Sequence, residues 1–356
     1  MKLAPALLTL LAALLMGCAG PQPIRGQLHY GMDDAPEGKQ LMWPAAPEVP
    51  RFLYTGTLTG ERNFRAAPGD GGGLRALGRW IAGLDDKPPQ PVVLQRPSAV
   101  IGDDNGRLYV SDTSRQAVFV FDEKAGELQV WELAQGFTRF VAPVGLAVAP
   151  DRLFVADAEL GAVFVLDARG EPLAVIGRGQ LQRPTGLARD ARRGLLYVAD
   201  TSAHDIKVFS DAGALLRVIG GRGPGDGEFN FPTHLAFVND ELYVTDTLNN
   251  RVQVFSAEGD VVRRKFGERG LYIGNLVRPK GVGVDSEGNV YIVESYFDSL
   301  LIFTGRGEFL LPIGGTGTAT GRFYLPSGVW IDAKNRVHIA DMFNGRVVLF
   351  QFLGGS

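Results

Sequence analysis

Six acidic residues recur along this 356-residue chain at nearly constant spacing. They are Asp112, Asp157, Asp200, Asp246, Glu294 and Asp341, separated by 45, 43, 46, 48 and 47 residues. Carboxylates that converge can act as a general acid and base or hold a divalent ion. Six carboxylates at equivalent places of a repeat cannot converge, because symmetry spreads them apart. Three of them precede threonine, as in Asp112-Thr113, Asp200-Thr201 and Asp246-Thr247. Short side-chain oxygens at the end of a strand accept hydrogen bonds from the backbone of the next turn, so these acids are expected to be structural. Glu294-Ser295 departs from the pattern and predicts a different turn in the fifth unit.

The other chemical groups are few. Histidines stand at 29, 204, 234 and 338, and Cys18 is the one cysteine. No Ser-His-Asp order or nucleophile elbow is present. The glycine clusters at 220–227 and 314–321 lie between strands rather than at a strand-to-helix turn, which makes them linkers, not phosphate cradles.

The elements that carry these residues come from the repeat itself. Each unit opens on a proline (Pro97, Pro143, Pro184, Pro232, Pro279, Pro326) and, the sixth excepted, carries four short apolar runs. In the fourth unit these run over 235–238, 242–245, 252–255 and 261–266, separated by turn signals such as Asn239-Asp240. Runs of that kind read as strands in hairpins. Four antiparallel strands per unit of this period describe a propeller blade. The sixth unit has only three runs, and Arg51-Phe52-Leu53-Tyr54-Thr55-Gly56 supplies the missing kind of strand at the other end of the chain. The expectation is an all-β fold: a six-bladed propeller of four-stranded antiparallel blades over residues 51–356, closed by an N-terminal clasp strand at 51–58. Blades begin at about residue 92. Closure removes two open sheet edges that would otherwise template aggregation.

The motif Pro-x-Gly-(Val/Leu), then (Leu/Val)-Tyr-(Val/Ile)-x-Asp-Thr, then Asn-x-Arg-Val-x-Val-Phe resembles the NHL repeat. The spacers Gly225 to Pro232 and Gly317 to Pro326 fit it as well. The resemblance covers roughly residues 92–352 and implies a propeller without a defined activity. NHL-type propellers include a zinc lyase, and gluconolactonase-like propellers hold a divalent ion in the axial channel. Either would need convergent ligands there. Two residues past each proline stand Ala99, Gly145, Gly186, His234, Gly281 and Gly328, one histidine where catalytic zinc usually takes three protein ligands. One residue past each proline stand Ser98, Val144, Thr185, Thr233, Lys280 and Ser327, with no acid among them, and Lys280 would oppose a cation. No metal or cofactor is therefore expected. A metal-dependent hydrolase or lyase at the channel mouth is the alternative.

Residues 1–17 read as a signal peptide: Lys2 gives the positive start, and Leu3 to Leu15 an apolar segment too short for a stable membrane anchor. Leu15-Met16-Gly17-Cys18 resembles a lipobox, so lipidation at Cys18 is expected, and with it an exported lipoprotein of the outer membrane or periplasmic face. Several acyl chains would hold the mature protein to a membrane. Together with the repeats, this makes the chain similar to bacterial NHL-repeat lipoproteins. Residues 18–50, rich in proline, read as an extended tether. Leu74, Leu77, Trp80, Ile81 and Leu84 have helical spacing and predict one short amphipathic helix over 74–84. The net charge of −3 gives no electrostatic case for nucleic acid.

What remains is a surface. In units five and six, Tyr272, Tyr296, Phe297, Tyr324 and Phe343 fall in turns that share one propeller face. Turn formation does not require them, and exposed aromatic clusters anchor partners. The alternative is that they pack between blades or under the 74–84 helix. The functional expectation is a non-catalytic scaffold that binds envelope proteins, with an electron-transfer or cytochrome assembly implied as client by resemblance only.

Overall fold

Apolar alternation and tight turns convert each repeat into a four-stranded antiparallel sheet. The computed structural model describes residues 23–31, 40–65, 91–259 and 261–354. In the fourth blade the strands are Pro232–Val238, Glu241–Asp246, Arg251–Ser256 and Val262–Phe266, in that spatial order from the axis outward. Their register pairs Leu235 with Val244, Val244 with Gln253 and Gln253 with Lys265. Six such sheets form a six-bladed propeller.

The sixth blade combines Val329–Ile331, Arg336–Asp341 and Arg346–Phe352 with the N-terminal strand Phe52–Leu58. Val347 faces Leu58, and Phe352 faces Phe52. The expected clasp is therefore present, and alternate residues of its strand (Phe52, Tyr54, Gly56, Leu58) are buried. Ring closure joins the two ends of the chain in one sheet.

Part of the expected tether is ordered sheet instead. Ile24–Arg25 pairs with Leu128 and Glu127 on the outer edge of blade one. Met42–Trp43 pairs with Leu53 and Phe52 on the outer edge of blade six. Between them Gln27–Leu28 pairs with Arg65 and Phe64. The reason lies in the apolar residues between the prolines. Trp43 packs edge-on against Phe350 at 5.3 Å, and Ile24 and Leu28 lie against the buried cluster of Phe64, Phe119 and Phe121. Each of these side chains is partly buried, and removing apolar surface from water favours the docked segment. Two outer edges flanking the closure point are thereby covered.

The expected helix at 74–84, the signal peptide and Cys18 lie outside the described residues. Among the described residues the helical elements are three single 3-10 turns, Glu61–Asn63, Thr247–Asn249 and Met342–Asn344. No helix among them is long and apolar enough to cross a membrane.

The core is divided between blades. Tyr197, Val208, Ile219 and Phe229 from one side pack with Leu242, Val244 and Phe255 from the next blade, and similar clusters fill the other interfaces. Near the axis the inner strands approach so closely that side chains are excluded. A Cβ on Gly186 would lie 2.6 Å from the Thr233 carbonyl oxygen, and one on Gly328 2.7 Å from that of Ser98. Glycine thus answers a close backbone approach at four of the six positions two residues past the proline, Ala99 and His234 standing at the other two.

Candidate functional site

The repeated acids are fully buried and each serves its own blade. Asp112 accepts from the backbone N–H of Gln95 (2.6 Å) and Arg96 (3.0 Å), the residues that lead into its inner strand, and from Ser114 and Arg115 in its own turn. Asp157 and Asp200 repeat this with Val141 and Ala142, and with Gln182 and Arg183. Asp246 and Asp341 accept from Asn230 N–H and Tyr324 N–H, and each gains an Asn and an Arg of its own repeat. Those arginines reach on to backbone carbonyls: Arg251 to Gly225 and Glu228, Arg346 to Ala319 and Arg322. The Asn-x-Arg motif is accordingly a clamp on the connector between blades. Burial holds the Asp246, Glu294 and Asp341 carboxyls above the ordinary carboxylate range despite these bonds.

Two details differ from the sequence expectation. The hydroxyl beside the acid donates instead of accepting from a turn: Thr201 and Thr247 bridge to the next blade, at Pro232 O (2.7 Å) and Pro279 O (2.9 Å), while Thr113 and Ser295 donate to Arg96 O and Arg278 O of their own blades. The fifth turn is also not different. Glu294 takes the N–H groups of Val277 and Arg278 at 2.8 Å each, its longer arm reaching the same donors. Every turn of this kind closes through a left-handed residue just before the third strand: Gln116, Gly161, His204, Asn250, Asp298 and Gly345, with φ between 51° and 62°. Asn, Asp, His and Gly tolerate that conformation best, a signal the repeat alignment carried.

The inner strands enclose an axial cavity of about 270 Å³. Its wall is glycine and aliphatic side chain with Phe237, Trp330, one histidine and one arginine, and no carboxylate lines it. Arg189 is paired with Asp211 at 2.6 Å. His234 is the histidine, its Nδ1 3.0 Å from Thr233 Oγ1 and its buried Nε2 without a hydrogen-bond partner. Burial, and then the nearby Lys280 charge, hold its pKa down to about 3. The half-buried Lys280 makes no hydrogen bond or ion pair among the described residues, and burial lowers its pKa too, with Arg278 adding to the effect. No group of three His, Cys, Asp or Glu able to hold a metal occurs among the described residues. His338 and His204 lie away from the axis, one inside a second strand and one in a turn against Phe231.

The aromatic residues singled out from the sequence do share one face. It carries the connectors from outer to next inner strand and the turns between second and third strands. Tyr272 is 83% exposed, Tyr296 55%, Tyr324 45% and Phe343 44%, while Phe297 is half-buried. Packing between blades therefore does not account for the first four. Tyr296 and Phe297 meet edge-on at 5.1 Å, and Tyr324 and Phe343 at 5.5 Å. Arg96 lies over the Phe343 ring at 4.9 Å. Leu271 and Ile273, exposed on either side of Tyr272, were not singled out from the sequence. The arc runs from the connector between blades four and five to the start of blade one.

A family model described as a 6-bladed beta-propeller matches residues 189–260. Protein brain tumor of Drosophila melanogaster is 31% identical over 139 residues, covering 38% of this chain and 13% of that protein. Human NHL repeat-containing protein 2 is 30% identical over 158 residues, covering 35% of this chain and 22% of that one. The match thus spans a small part of either relative's length. Among solved structures, a streptogramin B lyase aligns with a TM-score of 0.54 at 12% identity, over 73% of this chain and 94% of that one. An auxiliary nutrient binding protein from Bacteroides thetaiotaomicron aligns with a TM-score of 0.59 at 12% identity, over 75% and 72%. Those likenesses show the propeller fold alone.

Proposed function

We propose that this six-bladed propeller, a homologue of NHL-repeat proteins, is a lipid-anchored extracytoplasmic scaffold that binds an envelope protein through its aromatic arc. The observation that carries the reading is the exposure of Tyr272, Tyr296, Tyr324 and Phe343 on one face. Turns of this fold close without them, since the equivalent turn positions elsewhere hold Leu160, Ala203 and Leu248. Aromatic side chains supply large contact area at low entropy cost and dominate binding energy when a partner covers them. The repeated acids support the same reading from the other side. Their oxygens are committed to backbone donors and cannot double as catalytic groups. Fold alone does not decide, because propellers host binding and catalysis alike.

An electron-transfer protein is the proposed client. The test is co-purification from the native envelope, wild type against Tyr296→Ser combined with Phe297→Ser, read by haem absorbance and cross-linking. Loss of a co-purifying protein at unchanged melting temperature supports the reading. Equal capture and equal stability would sink it. For the anchor, Cys18→Ser is expected to move the protein from the membrane pellet to the soluble fraction. An unchanged distribution would remove the lipid from the scheme.

A further inference from the structure

We propose that the connector between blades four and five docks on an anionic lipid surface, with Leu271, Tyr272 and Ile273 entering the bilayer interface. This goes beyond the protein-binding reading: lipid at the tip of the connector leaves Tyr296, Tyr324 and Phe343 to a protein. The three residues are consecutive and are 73%, 83% and 71% exposed. One exposed leucine is ordinary, whereas a continuous apolar tip with a polar rim marks an interaction site. The turn itself does not ask for them. Asn275 N–H donates to Tyr272 O at 3.0 Å, and Asn275 Oδ1 accepts from Tyr272 N–H at 3.1 Å. The neighbouring connectors close the same turn, with Glu228 N–H on Gly225 O and Arg322 N–H on Ala319 O. Parallel bridges of Arg222 with Phe229, Arg269 with Leu276 and Thr316 with Phe323 fix the alignment of the three. Where the neighbours hold Pro224-Gly225-Asp226 and Thr318-Ala319-Thr320, this connector holds Leu-Tyr-Ile.

The charges on this face select the kind of surface. Arg269 and Arg278 flank the tip in sequence, and Arg222 and Arg96 stand on the same face. All four are exposed and without an ion pair among the described residues. Elsewhere on the face arginine is neutralised, Arg139 by Glu132 and Arg183 by Glu159, at 2.6 Å each. Glu268 is the acid beside the tip, and one carboxylate does not offset four cations. Exposed arginines gain by approaching anionic head groups, and salt screens that gain. Tyrosine suits the head-group level with its apolar ring and polar end, while Leu and Ile gain by leaving water. A protein would have to offer a pocket shaped for three projecting side chains. A bilayer takes them without one.

The test uses the full chain carrying Cys18→Ser, so that no acyl chain brings it to lipid, with a polarity-sensitive fluorophore on one added cysteine. The label sits at the tip (Tyr272→Cys) or, as a control, on the opposite face at exposed Lys334 (Lys334→Cys), between the first two strands of blade six. Vesicles are phosphatidylcholine alone or with about 30% phosphatidylglycerol, which supplies the negative charge. The tip label is expected to shift to the blue, half-maximally at about tenfold less lipid with the anionic vesicles than with the neutral ones. The control label should not shift. Arg269→Gln with Arg278→Gln should weaken anionic-vesicle binding by about tenfold or more, and so should Leu271→Ser with Ile273→Ser. No shift at the tip with anionic vesicles overturns the proposal, as does an equal shift at position 334 or an equal response to neutral lipid. These readings compare labels and lipids, so a folding defect in a tip variant leaves the test intact. Protein capture through Tyr296 and Phe297 with no lipid response at the tip would leave the scaffold standing and this inference refuted.

Discussion

Acid should weaken this fold through His338 in a measurable and separable way. The side chain is completely buried in the second strand of blade six, against Trp330 at 4.9 Å, and neither ring nitrogen has a hydrogen-bond partner. Burial lowers its pKa from 6.5 to about 4, with Asp332 opposing the shift and Arg336 adding to it. The unfolded chain therefore takes up this proton at a higher pH than the folded one. Stability is full above the unfolded value and is lost as pH falls through 6.5 towards 4. For a site titrating at 6.5 unfolded and about 4 folded, the loss between pH 7 and pH 4.5 is on the order of 2 kcal/mol. Urea unfolding followed by far-UV circular dichroism at both pH values gives the quantity directly. His338→Leu keeps a similar volume and removes the titration. Its acid loss should be smaller than that of wild type by about 2 kcal/mol, with His234 and the carboxyls contributing to both proteins. At neutral pH the variant should be at least as stable, because two unpaired nitrogens leave the core. An identical acid loss in the two proteins would refute the reasoning.

Two further perturbations test the architecture. Asp246→Ala strips the acceptor from Asn230 N–H, Asn249 and Arg251. Leaving the Arg251 cation half-satisfied should cost about 3–5 kcal/mol, read as a lowered melting temperature. Phe52→Ala opens a cavity in the clasp, where the ring packs on Phe352 at 5.2 Å and Tyr291 at 5.9 Å. The expected loss is about 3–5 kcal/mol. Amide exchange should accelerate first at the clasp amide of Tyr54 and only later at Val208 in blade three; uniform acceleration would mean that closure is not the weak point.

What the sequence made legible is what it wrote six times. The acid, the proline and the apolar runs recur, so the blades, their order and the structural use of the carboxylates could be read without coordinates. The clasp was legible because unit six lacks its fourth run. The N-terminal edge strands were not, because Ile24–Arg25 and Met42–Trp43 are two residues each and carry no periodicity. Their few apolar residues matter only against the open edges they cover, and an edge is a property of the assembled sheet. Glu294 misled for a related reason. Residue type implied a changed turn, whereas one added methylene let the carboxylate reach the same two N–H groups. The aromatic arc was found as a set of residues, but its exposure was not, since Tyr and Phe in a turn bury as readily as they project.

In a ring of near-equivalent blades, what every blade shares must answer to closure, and what one blade changes is free to answer to something else. The shared acids end on backbone donors, and most of the shared glycines end on a neighbouring carbonyl, which accounts for them fully. The departures do not find partners inside the protein. His234 keeps an unsatisfied Nε2, Lys280 is without an ion pair among the described residues, and Tyr272 and Tyr296 stand in solvent. They also fall together, in blades four and five and the connector between them. Random drift would scatter such changes around the ring and would be opposed at the buried positions, where an unpaired polar group costs about 1–3 kcal/mol. The exposed aromatic residues gathered on one face are most simply explained by a partner that covers them.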